Sequence, residues 1–368
     1  MNQTWDLVDL PKGSKPIKCK WIFKRKTKPN GSIERYKARL VVVGYSQKEG
    51  IDYFDTYSPV TKITTNEALI ALAVIHSLLI HQMDVKTTFL TGDLEEEIYM
   101  MLPEGFKISS QENKVCKLKK SLYGLKQALN QWYEIFNNTL IKKGFKVNSS
   151  DTCVYSKLFG AGCIIICLYV DDMLIFGTNM ELINDTKLFL SSHFEMKDLG
   201  IIGLIPGVKI RKNENDLYLC QSHYVEKILK KFDSFDVSSV RTPYDCSKHL
   251  KKNKENSVSQ LEYAKIIGSV MYFMNYTRPN IAYVVSKLSR YTHNLDRYHW
   301  DALRHLLRYL KGIINYYLHN NKFPTVLERY CDANWVTDNN EVNSTNGVCI
   351  LARGWSNILK VCKTNLHS

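Results

Sequence analysis

The chain has 368 residues, 45% of them hydrophobic and 23% charged, with a net charge of +14. That balance excludes a disordered polypeptide, the length allows two or three domains, and no apolar stretch reaches the ~18 residues that a membrane span needs. The positive excess points to a polyanionic partner, nucleic acid first, and the ten scattered cysteines show neither Cys-x-x-Cys nor zinc-type Cys/His spacing, so they read as reduced residues of an intracellular protein.

The first ten residues lack the basic start and apolar run of a signal peptide. Residues 20–26 and 33–43 are strand-like runs separated by Asn30-Gly31, which predicts a hairpin. Both arms are basic, with Lys24, Arg25 and Lys26 on one and Arg35, Lys37 and Arg39 on the other. Such an arm suits phosphate, and it equally suits an ordinary solvated hairpin. Residues 64–79 read as a buried helix, with Thr64 and Glu67 at capping-box spacing. The segment His81-Gln82-Met83-Asp84 follows, a single carboxylate ahead of Phe89 and Gly92. Residues 121–127 then lead into a helix whose apolar positions Leu125, Leu129, Trp132, Phe136 and Leu140 step by three or four, with Gly144 as its stop.

The most informative stretch is 164–176, where two continuous apolar runs flank Asp171-Asp172. The runs predict buried strands and the acids predict a hairpin tip, since adjacent side chains on a flat strand face opposite ways. Two acids at a rigid tip suit a divalent cation, and a solvated turn is the plain alternative. Beyond it, residues 180–194 read as an amphipathic helix with Leu182, Leu188 and Leu190 among its apolar members, and 208–210 with 217–219 as a hairpin. Residues 222–318 are mostly helical (222–232, 261–276, 279–291, 297–310), with a lysine-rich loop at 248–256 and short strands after Thr325. Three carboxylates from separate elements, Asp84, Asp171 and Asp172, can hold two metal ions that clamp the attacking and leaving oxygens of a phosphoryl transfer. With a basic hairpin to meet a triphosphate, template-directed polymerisation is the natural hypothesis; a metal nuclease also fits the acids.

The segments Lys20-Trp21-Ile22-Phe23-Lys24, Arg35-Tyr36-Lys37-Ala38-Arg39, His81-Gln82-Met83-Asp84-Val85, Ser121-Leu122-Tyr123-Gly124-Leu125-Lys126-Gln127, Tyr169-Val170-Asp171-Asp172, Phe194-Glu195-Met196-Lys197-Asp198, Thr277-Arg278-Pro279 and Leu307-Arg308-Tyr309-Leu310-Lys311 occur in this order. Together they resemble the reverse transcriptase of copia-type LTR retrotransposon Pol polyproteins over nearly the whole chain. The resemblance implies an α+β right-hand polymerase, with fingers and palm over 1–215 and a helical thumb or connection over 216–322. An incomplete ribonuclease H-like β segment, beginning its acids at Asp332, would follow over 323–368. It implies two Mg²⁺ ions, or Mn²⁺ in their place, on Asp84, Asp171 and Asp172. It places Lys24 or Lys26 with Arg39 at the incoming dNTP and Phe89 against a ribose 2′-OH, where a plain core Phe is the alternative. Tyr123, Gly124 and Lys126 would lie beneath template and nucleotide. Lys197 would be a proton donor to pyrophosphate, or a solvated surface lysine.

The implied partners are an RNA template, a DNA primer, their hybrid and dNTPs, with no membrane and no stated oligomeric state. The implied location is intracellular, cytoplasmic, in the virus-like particle of a parent element. The family has Pro where Leu129 stands, Phe-Leu-Gly where Ile205-Pro206-Gly207 stands, and Asp where Asn280 and Asn334 stand. Pro206 removes a backbone donor from the primer-gripping turn. Because the chain stops at Ser368, the ribonuclease H domain is expected to be incomplete and inactive. Two readings follow: an RNA-directed DNA polymerase, or a catalytically decayed retrotransposon remnant that at most binds nucleic acid. The metal nuclease ranks behind both.

Overall fold

A computed structural model describes residues 3–27, 32–106, 114–160, 162–205, 207–213, 216–245, 247, 250–251, 253, 259–321, 327–334 and 345–352, with backbone alone at 26–27, 204–205, 321, 327–334 and 345–352. The strands and helices of the first half are β1 (Trp5–Asp9), β2 (Cys19–Thr27), β3 (Ile33–Val42), α1 (Ile63–Ile75), β4 (Leu79–Val85), β5 (Tyr99–Met100), β6 (Lys114–Leu118), α2 (Ala128–Lys142), β7 (Lys146–Val147), β8 (Val154–Phe159), β9 (Gly162–Tyr169), β10 (Asp172–Gly177), α3 (Met180–His193) and β11 (Met196–Ile201). The second half adds β12 (Leu204–Ile205), β13 (Val208–Lys212), β14 (Asp216–Cys220), α4 (Ser222–Lys231), α5 (Gln260–Thr277), α6 (Ala282–Ser289), α7 (Arg297–Gly312), β15 (Tyr317–Asn321), β16 (Leu327–Asn334) and β17 (Thr345–Ala352). The chain is therefore mixed α/β. Two compact units form, one from residues 1–61 and 81–200 and the other from 62–80 and 201–368. Among the described residues no helix is long and apolar enough to cross a membrane.

The first unit holds a six-stranded sheet in the order β11-β4-β10-β9-β8-β7, a three-stranded sheet β1-β6-β5, and the hairpin β2-β3. The sheet's central strands are continuous apolar runs, as expected of strands covered on both faces. Ile164, Ile166, Met173, Ile175 and Phe176 are all buried. Helix α2 buries Trp132, Phe136 and Leu140 at the predicted spacing. It stops where Gly144 turns left-handed at φ +87° and Phe145 N–H returns to Leu140 C=O. Helix α3 starts on an Asn179 side chain that accepts from Leu182 N–H at 2.9 Å, and it buries Ile183 and Leu190. Leu188, counted from the sequence as part of its apolar face, is exposed. Strand β11 carries Met196, Leu199 and Ile201 without the alternation of a strand, so the sequence does not mark it; it pairs with β4 at the edge of the sheet.

The second unit packs α4–α7 around Val225, Tyr263, Val270, Phe273, Leu303 and Leu306. The helices fall where the sequence places them, and the sheet β12-β13-β14-β15 adds a strand at 317–321, across the end of the stretch read as mostly helical. Arg278 is fully buried and, among the described residues, donates only to carbonyls, on Thr277, Ile313 and Tyr316. Burial lowers its guanidinium to about 10. Asn280 gives its amide to Tyr309 Oη at 2.7 Å, while Asn280 Oδ1 and Arg278 Nε are buried with no hydrogen-bond partner among the described residues. An acid at position 280, as the resemblance implies, would supply the counter-charge that Asn280 does not.

Helix α1 is shorter than the predicted 64–79 and begins one residue earlier, at Ile63. Lys62 is its N-cap, with no side-chain cap bond, so the Thr64–Glu67 capping box does not form. The helix ends before Ser77, whose φ is +53°. Glu67 is instead partly buried, and desolvation pushes its carboxyl up to about 8. A carboxyl raised from 4.5 to about 8 favours folding in its neutral form. Its stabilising effect is thus complete below pH ~4.5 and is lost as pH rises to ~8, at roughly 1.4 kcal/mol per unit as an upper bound. Urea melts are expected to weaken across that window, and Glu67→Gln should flatten the slope; a slope unchanged in Glu67→Gln would contradict this.

Candidate active site

The hairpin β9–β10 pairs Asp172 with Tyr169, leaving Val170 and Asp171 as a two-residue turn. The expectation that both acids sit at the tip is corrected: Asp171 is in the turn and Asp172 opens strand β10. The turn is strained. Val170 has φ +61°, a conformation rare for a β-branched residue and worth about 1–3 kcal/mol unless its surroundings fix it. They do fix it. The indole Nε1–H of Trp132, 1% exposed on α2, donates to Val170 C=O at 2.7 Å. Thr61 Oγ1 donates to Leu168 C=O just before the turn. Beneath them Trp132, Phe136, Phe194 and Tyr155 form one aromatic stack with ring centroids 5.2–5.7 Å apart.

Strand β4 brings Asp84 to the same end of the sheet. Val85 N–H donates to Asp171 C=O at 2.9 Å, so Asp84 lies one residue from the hydrogen bond that joins the end of β4 to the β9–β10 turn. Asp172 Oδ1 accepts from Gln82 Nε2 at 3.3 Å. The Asp171 carboxylate makes no hydrogen bond or ion pair among the described residues, whereas Asp84 and Asp172 are engaged. No group of three His, Cys, Asp or Glu side chains that could cage an ion occurs among the described residues. A hard-oxygen pair on adjacent chain ends nevertheless suits Mg²⁺, which takes one or two carboxylates, keeps water and completes its shell with substrate phosphate.

The hairpin β2–β3 pairs Ile22 with Arg39, Lys24 with Lys37, and Lys26 with Arg35. Alternation therefore collects Lys24, Lys37, Arg35 and Arg39 on one face and Trp21, Phe23, Arg25 and Tyr36 on the other. Lys26 contributes its backbone to the strand; its side chain lies outside the described residues. Arg39 lies over the Tyr123 ring at 5.3 Å, and Phe89 meets the same ring edge-on at 4.8 Å. Three residues from three distant segments are thus brought together. Phe89 is half-buried against the cluster that contains Leu122 and Leu125.

Gly124 makes that approach possible. Its φ is +96°, and a Cβ there would come within 2.1 Å of Val42 C=O, while Val42 N–H bonds Tyr123 C=O at 2.7 Å. Gly124→Ala is expected to cost about 3 kcal/mol or more, strain and overpacking combined, read as a lowered urea midpoint. A midpoint equal to the parent's would contradict that reading.

Lys126 is less available than the sequence suggests. Its Nζ donates to Gln47 C=O at 3.3 Å and Tyr53 Oη at 3.0 Å, and its N–H reaches Gln47 Oε1 at 2.8 Å. Gln47 and Gln127 bond each other at 3.0 Å, and Gln127 holds Asp52 C=O. Sequence reasoning missed Gln47, Tyr53 and Gln127, because no local pattern marks a loop that docks some eighty positions away. Leu129 sits in the first turn of α2, where a proline and a leucine are both tolerated, so that departure leaves the helix intact. Lys197 is exposed on β11, and Asp332 lies on β16, where the backbone alone is described. Pro206 lies outside the described residues. Gly207 follows it at φ +73°.

The model of the family described as reverse transcriptase (RNA-dependent DNA polymerase) matches residues 2–246. The chain belongs to the reverse transcriptase family. By ancestry it is a nucleotidyltransferase. The chain is 42% identical to the retrovirus-related Pol polyprotein from transposon TNT 1-94 of Nicotiana tabacum, over 98% of this chain and 28% of that protein. It is 38% identical to the Pol polyprotein from transposon RE1 of Arabidopsis thaliana, over 95% of this chain and 24% of that one. A putative transposon Ty5-1 protein of Saccharomyces cerevisiae is 32% identical over 74% of this chain and 89% of its own length. The kinship with copia-type Pol polyproteins expected from the motifs is borne out, and the chain spans about a quarter of the two plant polyproteins.

Proposed function

We propose that this reverse transcriptase is an RNA-directed DNA polymerase, copying an RNA template onto a DNA primer with dNTPs. The observation that carries the proposal is the Asp171 carboxylate, held with no hydrogen bond or ion pair among the described residues on a strained turn beside the strand that bears Asp84. In this reading the six-stranded sheet is the palm, β2–β3 the fingers, and α4–α7 the thumb or connection. The sequence-drawn divisions at 215 and 322 belong to the same proposal, as does a ribonuclease H-like start at Asp332.

Asp84 and Asp171, assisted by Asp172, would hold two Mg²⁺ ions. Once bound, such ions lower the pKa of the primer 3′-OH and offset charge on the phosphates. The chain's own residues do the positioning. Trp132 and Thr61 fix the turn that carries Asp171. Arg39 and Lys24 present their charges to the triphosphate from the basic face of β2–β3. Phe89, set against Tyr123, closes the space beside the ribose C2′. Lys126 braces the loop at 47–53 and so positions Tyr123 and Gly124 instead of touching nucleotide. Lys197 stays exposed, available to a departing pyrophosphate.

The test is primer extension after chelation. Protein freed of divalent ions should add no nucleotide, and Mg²⁺ should restore addition. Addition that persists in chelator would overturn the metal assignment.

A further inference from the structure

The sheet β12-β13-β14-β15 in the second unit has two chemically different faces. Val208, Ile210, Leu217, Leu219 and Leu318 are buried on one. The register pairs Arg211 with Tyr218 and Tyr218 with His319, and Lys209 with Cys220 and Cys220 with Tyr317. Alternation therefore turns all six to the opposite face, which is half-exposed to exposed. A cavity of about 430 Å³ opens there, and Lys209, Arg211, Asn213, Tyr218, Asn315 and Tyr317 are among the residues that line it. Tyr218 stacks on His319 at 4.7 Å and meets Tyr317 edge-on at 5.0 Å.

The face is cationic as well as aromatic. Its acid, Asp216, accepts from His319 Nε2 at 2.7 Å, and no ion pair of Lys209 or Arg211 occurs among the described residues. The neighbouring His223 is held below the ordinary histidine range, first by burial and then by the Lys209 charge. Paired cations beside stacked rings match a ligand that carries phosphates and a flat ring in alternation.

We propose that this face binds unpaired single-stranded nucleic acid, seating a base against Tyr218 and Tyr317 and its phosphates on Lys209 and Arg211. It deepens the nucleic-acid partnership proposed above without needing polymerase chemistry, because every residue involved belongs to the second unit.

The test uses the full chain and a fluorescein-labelled oligothymidylate of about 12 nucleotides, a length within the span of ordinary single-strand sites. Anisotropy is read over a salt series. The double variant Lys209→Gln, Arg211→Gln changes two surface side chains. It should bind about tenfold more weakly and lose about 1.4 from the slope of log affinity against log salt, at ~0.7 per phosphate. Tyr218→Ala should cost about tenfold on oligothymidylate, by loss of one stacked base, and nothing on an abasic oligonucleotide of the same length. Folded variants that bind oligothymidylate like the parent, with the same salt slope, would overturn the proposal. So would a Tyr218→Ala loss equal on both oligonucleotides, since the ring would then hold no base. The assay reads binding alone, so a folded chain that extends no primer still decides it. A double variant that extends a primer normally yet binds the oligonucleotide unchanged would refute this face and leave the polymerase reading standing.

Discussion

Trp132→Phe is expected to slow primer extension about tenfold to a hundredfold while leaving a folded protein. The substitution keeps a ring in the stack with Phe136 and Phe194 but removes the N–H that holds Val170 C=O. Leaving a buried carbonyl without its donor costs about 1–3 kcal/mol. That energy is comparable to the strain stored at Val170, whose left-handed φ of +61° persists because the surroundings over-determine it. Released, the turn should relax toward an ordinary conformation and carry Asp171 with it, and a misplacement of about 1 Å can cost about a hundredfold in rate. Trp132→Ala should go further, losing about 3–5 kcal/mol of stability with the buried indole. The check is a pair of measurements, a urea melt and a single-turnover extension rate. A Trp132→Phe protein with the parent's rate would show that the indole bond does not position the acid.

Asp171→Asn carries the larger effect on chemistry. The change preserves size and the backbone acceptor for Val85 N–H but removes the carboxylate charge. A metal clamp supplies several kcal/mol of transition-state stabilisation, so its loss should lower the extension rate by about a thousandfold or more. Because the side chain has no hydrogen bond or ion pair among the described residues, folding stability should hardly change. Hybrid binding should survive, because the substitution removes no positive charge. Loss of folding together with activity would mean that Asp171 is a structural residue, contrary to the account.

Much of this was legible in the chain because the signals were local. The apolar runs around Asp171-Asp172 gave β9 and β10, and the three-and-four spacing from Leu125 to Leu140 gave α2. The Asn30-Gly31 signal between the strand-like runs 20–26 and 33–43 gave the β2–β3 hairpin, and only its register collects Lys24, Lys37, Arg35 and Arg39 on one face. What stayed hidden depended on distance or on a single backbone angle. The turn consumed Val170 and Asp171, not both acids, because Val170 accepts a left-handed conformation that the indole of a remote helix enforces. Glu67 read as a cap because its spacing from Thr64 is right, yet α1 starts at Ile63 and the carboxyl is partly buried and desolvated. Lys126 read as a nucleotide ligand, while the residues that engage it, Gln47 and Tyr53, carry no pattern of their own. Strand β11 has no strand-like alternation and forms at the sheet edge beside β4.

The most direct test of the central claim is single-nucleotide addition to a DNA primer on an RNA template, with each dNTP supplied alone and Mg²⁺ present. The account predicts that the full chain adds the dNTP complementary to the first unpaired template base and rejects the other three, and that changing that base changes the dNTP accepted. A folded protein that binds the hybrid yet adds nothing, or that adds nucleotides without regard to the template, would contradict it.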